Sequence, residues 1–448
     1  MRPLARAFTM VLAGLLATTA RAESPKVTTP ALRTLTVDDA VSLALAANPR
    51  LVAARDRLRA AHEMSTSTAR RMLPAARVHD DLQRYDSPFV VTFPTPGAAP
   101  GDGFRLRNQT INTFVASIDQ PLLGLFRLDR ERRARDESDA AVAADVATME
   151  ADLRLAVETY FLRTFEAQAM EKIANTSANE LDAEATVARA RLAAGVINPA
   201  DLLRIQVAAA NSRQQALQAH SEGEATRYRL FATLGLEMPR GEGGDVVLIE
   251  PNSLLAAAQA PLPTAAALLS SAHQGRTELA QRLHLSEAAR WQARARWLSL
   301  LPDINFEAAY LRSDGQSFTP KNSAFVGLKA DWAVWEWGAS EHARRSAEAQ
   351  AAGATRDAEA AERQIEAEVA TSLAEGDAAR GAVAAADQAI ASAEEAFRVT
   401  EVGVKAGAAT TTDLLESQAA LTQARLNLTR ARYELALARV GLVRASGL

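Results

Sequence analysis

The chain has 448 residues, a formal net charge of −4 and no cysteine. The missing cysteine excludes disulfides, thiolate metal sites, a thiol nucleophile and the lipid-acceptor cysteine of a bacterial lipoprotein. The acidic balance lacks the basic footprint that nucleic acid requires, so no nucleic-acid partner is expected.

Residues 1–22 read as a secretory signal: Arg2 and Arg6, an apolar core from Ala7 to Ala17, then Ala20-Arg21-Ala22 as an A-x-A cleavage pattern. That core is too short to span a bilayer. Losing Arg2, Arg6 and Arg21 takes the formal charge from −4 to −7. No later apolar run approaches the length of a membrane helix, so entry into a membrane would have to be as a β-barrel.

Thr36-Val37-Asp38-Asp39 starts a helix with polar residues suited to an N-terminus. Asn48-Pro49 interrupts it, the pattern resumes from Leu51 to about Met72, and Pro74 stops it. Residues 75–118, richer in Asn, Thr, Phe, Gly and Pro, read as two strands around a long loop. From Leu125 to Ala194 there is neither Gly nor Pro, and Ala, Arg, Glu and Leu dominate. One helix of roughly 105 Å fits this stretch. Gly195-Val196-Ile197-Asn198-Pro199 breaks it, and Asp201 is expected to cap the return helix, which runs to about Leu236. That return helix spans roughly 55 Å and the helix from Asp38 to Met72 about 50 Å, so two short helices stacked end to end match one long one.

Residues 237–263 carry Gly241, Gly243, Gly244 and several prolines and read as a linker with little local structure. Gly241-Glu242-Gly243-Gly244-Asp245 lacks the Gly-Lys-Ser/Thr ending of a phosphate loop. Beyond it, Ile304, Phe306, Ala308 and Tyr310 alternate with Asn305, Glu307 and Ala309, and Ala324, Val326, Leu328, Ala330 and Trp332 with Phe325, Gly327, Lys329 and Asp331. This period of two fits a strand between lipid and an aqueous lumen, and equally a half-buried sheet. Tyr310, Trp332, Trp335 and Trp337 bracket the hairpin as an interfacial aromatic girdle would. Leu414, Leu421, Leu428, Leu435 and Leu442 recur every seventh residue, the seam of a left-handed coiled coil.

The chain is also a duplication. Asp119 and Asp331, Gly195 and Gly407, Asp201 and Asp413, and Gly235-Leu236 and Gly447-Leu448 all stand 212 residues apart. Upstream, Leu51 and Leu279, and Leu73-Pro74 and Leu301-Pro302, stand 228 apart. Residues 23–236 therefore form a first repeat and residues 264–448 a second, each a helix, a strand hairpin and a long helical hairpin. The period is far longer than the ~20–50 residues of a solenoid.

Catalytic patterns are lacking. The six histidines are scattered, with no HExxH, no GxSxG and no phosphate loop, and His79-Asp80-Asp81 is the only local cluster with metal-ligand potential. The chain reads as a non-enzyme without cofactor.

Leu35-Thr36-Val37-Asp38-Asp39-Ala40-Val41, Asn48-Pro49, Leu73-Pro74, Asp119-Gln120-Pro121-Leu122 and the duplicated glycine turns resemble TolC-type outer-membrane efflux ducts from about Leu35 to Leu448. The resemblance implies a mixed α and β membrane protein of the Gram-negative outer membrane with a periplasmic extension. It implies a homotrimer whose helices form a coiled-coil barrel and whose strands, four per protomer, close a trimeric 12-stranded transmembrane β-barrel in outer-membrane lipid. It further implies a passive channel of a tripartite efflux or type I secretion system, served by a periplasmic membrane-fusion adaptor and an inner-membrane pump. The adaptor would meet the tips at Arg191, Leu192, Gly195, Val196, Gly403, Val404 and Gly407. The Arg-Leu-x-x-Gly motif is complete only in the first tip, since Gly403 and Val404 replace Arg191 and Leu192. Asp413 and Glu416 stand where the family places acidic rings at the periplasmic aperture. The Tyr and Arg that lock that aperture in the archetype are replaced by Val404 and Ala409. The bland reading of Asp413 is a helix cap. Two other readings of the whole chain stand beside the duct: a periplasmic coiled-coil adaptor, and a metal-binding exporter component using His79. The exported cargo cannot be read from the residues.

Overall fold

A computed structural model describes residues 34–92, 103–236 and 246–448. The expected signal peptide, part of the first hairpin loop and the glycine-rich part of the linker lie outside the described residues. The chain divides into a small unit and a large one. In the small unit, β1 (Thr34–Leu35) pairs in parallel with β5 (Val247–Leu248).

The large unit holds the helices α1 (Val37–Ala47), α2 (Pro49–Arg70), α3 (Gly124–Ala193), α4 (Pro199–Leu234), α5 (Asn252–Ala258), α6 (Ala265–Gly275), α7 (Thr277–Leu298), α8 (Ala339–Lys405) and α9 (Thr411–Ser446). Its strands are β2 (Ala75–Arg84), β3 (Phe89–Val91), β4 (Phe104–Pro121), β6 (Asp303–Gln316) and β7 (Asn322–Asp331). The expected long helix is α3, with 70 residues, and α8 is its counterpart with 67. Asn48 both ends α1 and caps α2, its Oδ1 accepting from the Arg50 and Leu51 amides while Pro49 takes the first helical position. At the start of α1, Thr36 and Asp39 form a reciprocal capping box.

One expectation fails. Asp201 does not cap α4; Asn198 does, with its side chain accepting from the Ala200 amide at 2.9 Å. Proline at position 199 fixes the first helical residue, which puts the cap on the residue before it. Asp201 falls three residues into the turn and accepts from Arg204 instead.

The core is a chain of small clusters strung between helices rather than one globule. Leu162, Tyr433, Leu435, Ala436 and Val440 form one with Ala258 of the short helix α5. Leu268, Ile365, Val369 and Leu442 form a second, and Leu181, Ala185, Ile205 and Ala209 a third beside the first glycine turn. All five leucines of the seven-residue repeat are buried. A helix of ~100 Å with one such stripe needs neighbours along its whole length.

The two repeats share one joint. Gly235, left-handed at φ +72°, ends α4 against the α1–α2 break, and an added Cβ would lie 2.7 Å from the Ala47 carbonyl oxygen. Gly447, at φ +68°, ends α9 against the α6–α7 break, where a Cβ would lie 2.8 Å from the carbonyl carbon of Gly275. The break residue then donates to a carbonyl near the end of the return helix: Asn48 Nδ2 to Thr233 O at 2.8 Å, Arg276 Nη1 to Ala445 O at 3.1 Å. In the second repeat Arg276, nearly buried, also pairs with Glu278 and Glu368, and Arg444 pairs with Asp152 and Glu278.

The strands form one antiparallel sheet in the order β2-β4-β6-β7, with β3 pairing the far part of β4. Both repeats contribute, joined at β4–β6. Residues paired across neighbouring strands point to one face. Val78, Ala116, Tyr310 and Ala324 form one row, and Ala76, Ile118, Ala308 and Val326 the next. Phe306 with Leu328 and Ile304 with Ala330 complete this face. The intervening rows carry Arg77 and Ser117, Asp119 and Glu307, Asn305 and Lys329, and Asp303 and Asp331. Over these rows one face is apolar and the other mostly charged, with Ala309 and Phe325 completing the Arg77 row and Arg77 bridging Asp119 at 2.9 Å.

The joint and the tips make different demands on glycine. Gly195→Ala should cost only the left-handed backbone penalty, about 1 kcal/mol, because nothing lies within 4 Å of the added Cβ. Gly235→Ala meets the same penalty plus a clash with the Ala47 carbonyl, so its melting temperature in detergent should fall clearly further. Equal melting temperatures for the two variants would show that the joint is not tightly packed.

Candidate functional site

The chain ends its two long helices in the same way. At the first tip α3 stops at Ala193, Gly195 takes φ +78°, and the amides of Gly195 and Val196 donate to Leu192 O and Arg191 O, each at 2.9 Å. This is the Schellman pattern that satisfies the last helical carbonyls. At the second tip Gly407 takes φ +73°, and Ala408 N donates to Gly403 O at 2.8 Å. Val196 is 71% exposed, so an apolar side chain projects from the first tip into solvent. Arg191 and Leu192 are half-buried on the last turn behind it.

The tips differ where the sequences differ. In the second, Gly403 lets Ala409 close on the helix, and a Cβ at position 403 would lie 3.1 Å from Ala409 Cβ. Val404 is half-buried one residue on. In the first tip the residue matching Ala409 is Ile197, which packs beside Leu181, Ala185 and Ile205. The first tip thus presents long side chains, and the second is small and flush.

Asp413 and Glu416 are both exposed, three residues apart on the first turns of α9. Asp413 Oδ2 accepts from the Thr410 amide and the Thr410 hydroxyl, each at 2.8 Å, while the Asp413 amide donates to Thr410 Oγ1 at 3.1 Å. The helix cap is therefore Thr410, and Asp413 closes the box from the third helical position. The donated backbone hydrogen bond, and then the hydroxyl, hold the Asp413 carboxyl below the usual carboxylate range. A depressed value means that the interaction is complete above the ordinary carboxylate range and is lost only as pH falls through the lowered value. Its place in the capping box thus keeps this residue charged.

Arg204 ties the tips together, donating to Asp201 at 3.3 Å and to the Thr412 hydroxyl at 3.1 Å. Sequence reasoning missed it, because a bridge between residues 204 and 412 leaves no local pattern. It also missed the Thr410 box, which the Thr-x-x-Asp spacing does record.

At the sheet, Tyr310 lies in the upper apolar row, half-exposed, its hydroxyl donating to Asn322 at 2.8 Å. Trp332, Trp335 and Trp337 follow the end of β7, all exposed, with Trp337 at 87% and φ +53°. Trp332 and the Tyr310 row lie about 27 Å apart along the strand. Tilted as in a closed barrel, that becomes about 20 Å, close to the ~25 Å apolar band of outer-membrane barrels. Val326 and Leu328, 71% and 70% exposed, lie between these two aromatic levels.

His79 and Asp80 take opposite faces of β2, and Asp80 accepts from Asn112. The strand therefore takes Asp80 out of the cluster seen in the sequence and leaves His79 and Asp81 on one face. Among the described residues, the group with ligand-like spacing is His273, Glu362 and Glu366, all exposed.

The family model for outer membrane efflux proteins matches residues 40–236 and 268–448. A search of curated proteins returns no match. Among solved structures, the outer membrane protein VceC of Vibrio cholerae is similar at 16% identity and TM-score 0.76, covering 92% of this chain and 96% of that one. The outer-membrane channel OprN is similar at 18% identity and TM-score 0.75, with 92% and 89% covered. The open state of the MtrE outer membrane channel of Neisseria gonorrhoeae is similar at 16% and 0.74, with 92% and 88% covered.

Thr410→Ala should fray the first turn of α9, raising amide exchange there roughly tenfold without lowering the global melting temperature. Unchanged exchange at residues 411–414 would mean that the box contributes nothing to the tip.

Proposed function

Since the chain belongs to the outer membrane efflux protein family, we propose that it is the passive duct of a tripartite export system, assembled from three copies. One observation carries this reading. The sheet at one end of the long helices is open, its edge strands β2 and β7 have free sides, and its two faces are apolar and charged. Four strands do not close a barrel, and a free edge is a template for another chain. β2 and β7 are each 10 residues long, so copies can pair edge to edge without overhang. Closure would put the apolar rows against lipid and the charged rows around a water-filled lumen.

The adaptor reading of this chain is set aside. Both repeats feed one sheet, and the family model covers both. The tips are proposed as the docking surface for a periplasmic membrane-fusion adaptor that links the duct to an inner-membrane pump. Arg191, Leu192 and the exposed Val196 offer the first tip an apolar and cationic grip, while the flush second tip of Gly403, Val404 and Gly407 offers a groove. Asp413 and Glu416 are proposed to ring the aperture, where carboxylates attract cations. The exporting machine selects cargo at the pump, so the duct itself performs no chemistry.

The purified protein should require detergent, and in planar bilayers it should form channels blocked by divalent cations from the helical side. Asp413→Ala with Glu416→Gln should weaken that block at least about tenfold. An unchanged block would remove the acidic aperture. A protein soluble without detergent that forms no channel would sink the duct.

A further inference from the structure

Just below the sheet, the last turns of α2 and α7 and the first turns of α3 enclose a recess of about 300 Å³. Four guanidinium groups line it, from Arg71, Arg127, Arg135 and Arg296, against one carboxylate, Glu131. Arg127 already pairs with Glu131 at 3.1 Å and reaches Asp303 at 3.3 Å. Among the described residues, no carboxylate lies within ion-pair distance of Arg71, Arg135 or Arg296. Neighbouring arginines on the same stretch of α3 are not left this way. Arg130, Arg132 and Arg133 all bridge to Asp129, and Arg132 also to Asp136.

Three exposed cations with no carboxylate partner, gathered in one concavity of a net-acidic protein, leave a local positive potential that an anion would complement. Capping two helix C-termini explains part of the charge, since Arg70 stands in the last turn of α2 and Arg296 in that of α7, which leaves Arg71 and Arg135 as the surplus. The surplus points into the recess. Its side of the molecule is fixed by Arg127, whose partner Asp303 belongs to the charged rows of the sheet, opposite Asp331. On the duct reading, those charged rows line the lumen, and Arg127 joins the recess to them.

We propose that this recess is an oxyanion-binding station on the permeation path, taking the phosphate, carboxylate or sulfonate group of a passing solute. The planar forks of Arg135 and Arg296 would grip two oxygens each, with Arg71 completing the charge. Its luminal position rests on the duct reading; its affinity for oxyanions does not. Three copies would form a basic ring at the membrane end, opposite in sign to the carboxylates at the tips.

The test uses the full chain in neutral detergent, titrated with tripolyphosphate by calorimetry. Saturable binding is expected, weakened about tenfold by Arg135→Gln or Arg296→Gln and lost in the double variant. Arg132→Gln, which alters a paired arginine, should leave it unchanged. No saturable binding, or equal binding by the double variant with an unaltered melting curve, overturns the station. In phosphatidylcholine bilayers tripolyphosphate should also block conductance, and the double variant should escape the block. Variant-sensitive binding without any channel would retain the station and reject the duct. A conducting channel that tripolyphosphate binds but does not block would overturn the luminal position. Displacement of tripolyphosphate by phosphatidylglycerol in nanodiscs would assign the site to a lipid headgroup and overturn the solute assignment.

Discussion

A return helix half as long as its partner has to end partway along that partner, and its last carbonyls must be met there. The chain solves this twice with one piece of backbone geometry. Gly235 and Gly447 turn left-handed, and each lies so close to the break between two preceding helices that no side chain fits. Through this joint, α1–α2 and α6–α7 are set end to end against α4 and α9. The rest follows from it. The long helices α3 and α8 gain neighbours along their length, the tips fall at one end of each hairpin, and the strands leave from the other.

The two joints share a backbone contact but not a chemistry. Asn48 meets the Thr233 carbonyl with a neutral amide and caps α2 as well. Arg276, at the matching position, meets Ala445 with a guanidinium and draws Glu278, Glu368, Arg444 and Asp152 into a network. Burial pushes the Glu278 carboxyl up, but the hydrogen bonds from Arg444 and Arg276 outweigh it and hold the group below its ordinary range. One partly buried network of this kind binds four helices at a single level, whereas the first joint binds two. Removing one member would strand the others, which is why such networks are costly to edit piecemeal.

What could be read from residues alone was whatever is periodic or local. The uninterrupted run of helix formers marked α3 to within a residue, the spaced leucines marked the seam of α9, and the alternation marked β6 and β7. Asn48-Pro49 marked the break between α1 and α2. The cap of α4 falls on Asn198 and not on Asp201, because Pro199 takes the first helical position. Contacts between distant segments left no trace: Arg204 on Thr412, or the gathering of Arg71, Arg135 and Arg296 from three helices. Pairing partners for arginines are chosen by the fold, and a sequence rich in both signs of charge does not say which cations will be left over. The proposed trimer, adaptor contacts and aperture concern surfaces that one chain presents but does not fill.

The free edges of β2 and β7 have a genetic consequence. If each chain completes its barrel only by lending one edge to each neighbour, a single faulty edge opens a seam that sound copies cannot mend. Substitutions along either strand that block pairing would then act dominantly when expressed beside an intact gene, because most mixed rings would contain at least one bad subunit. Substitutions in the joint, which spoil a chain before it can assemble, would be recessive.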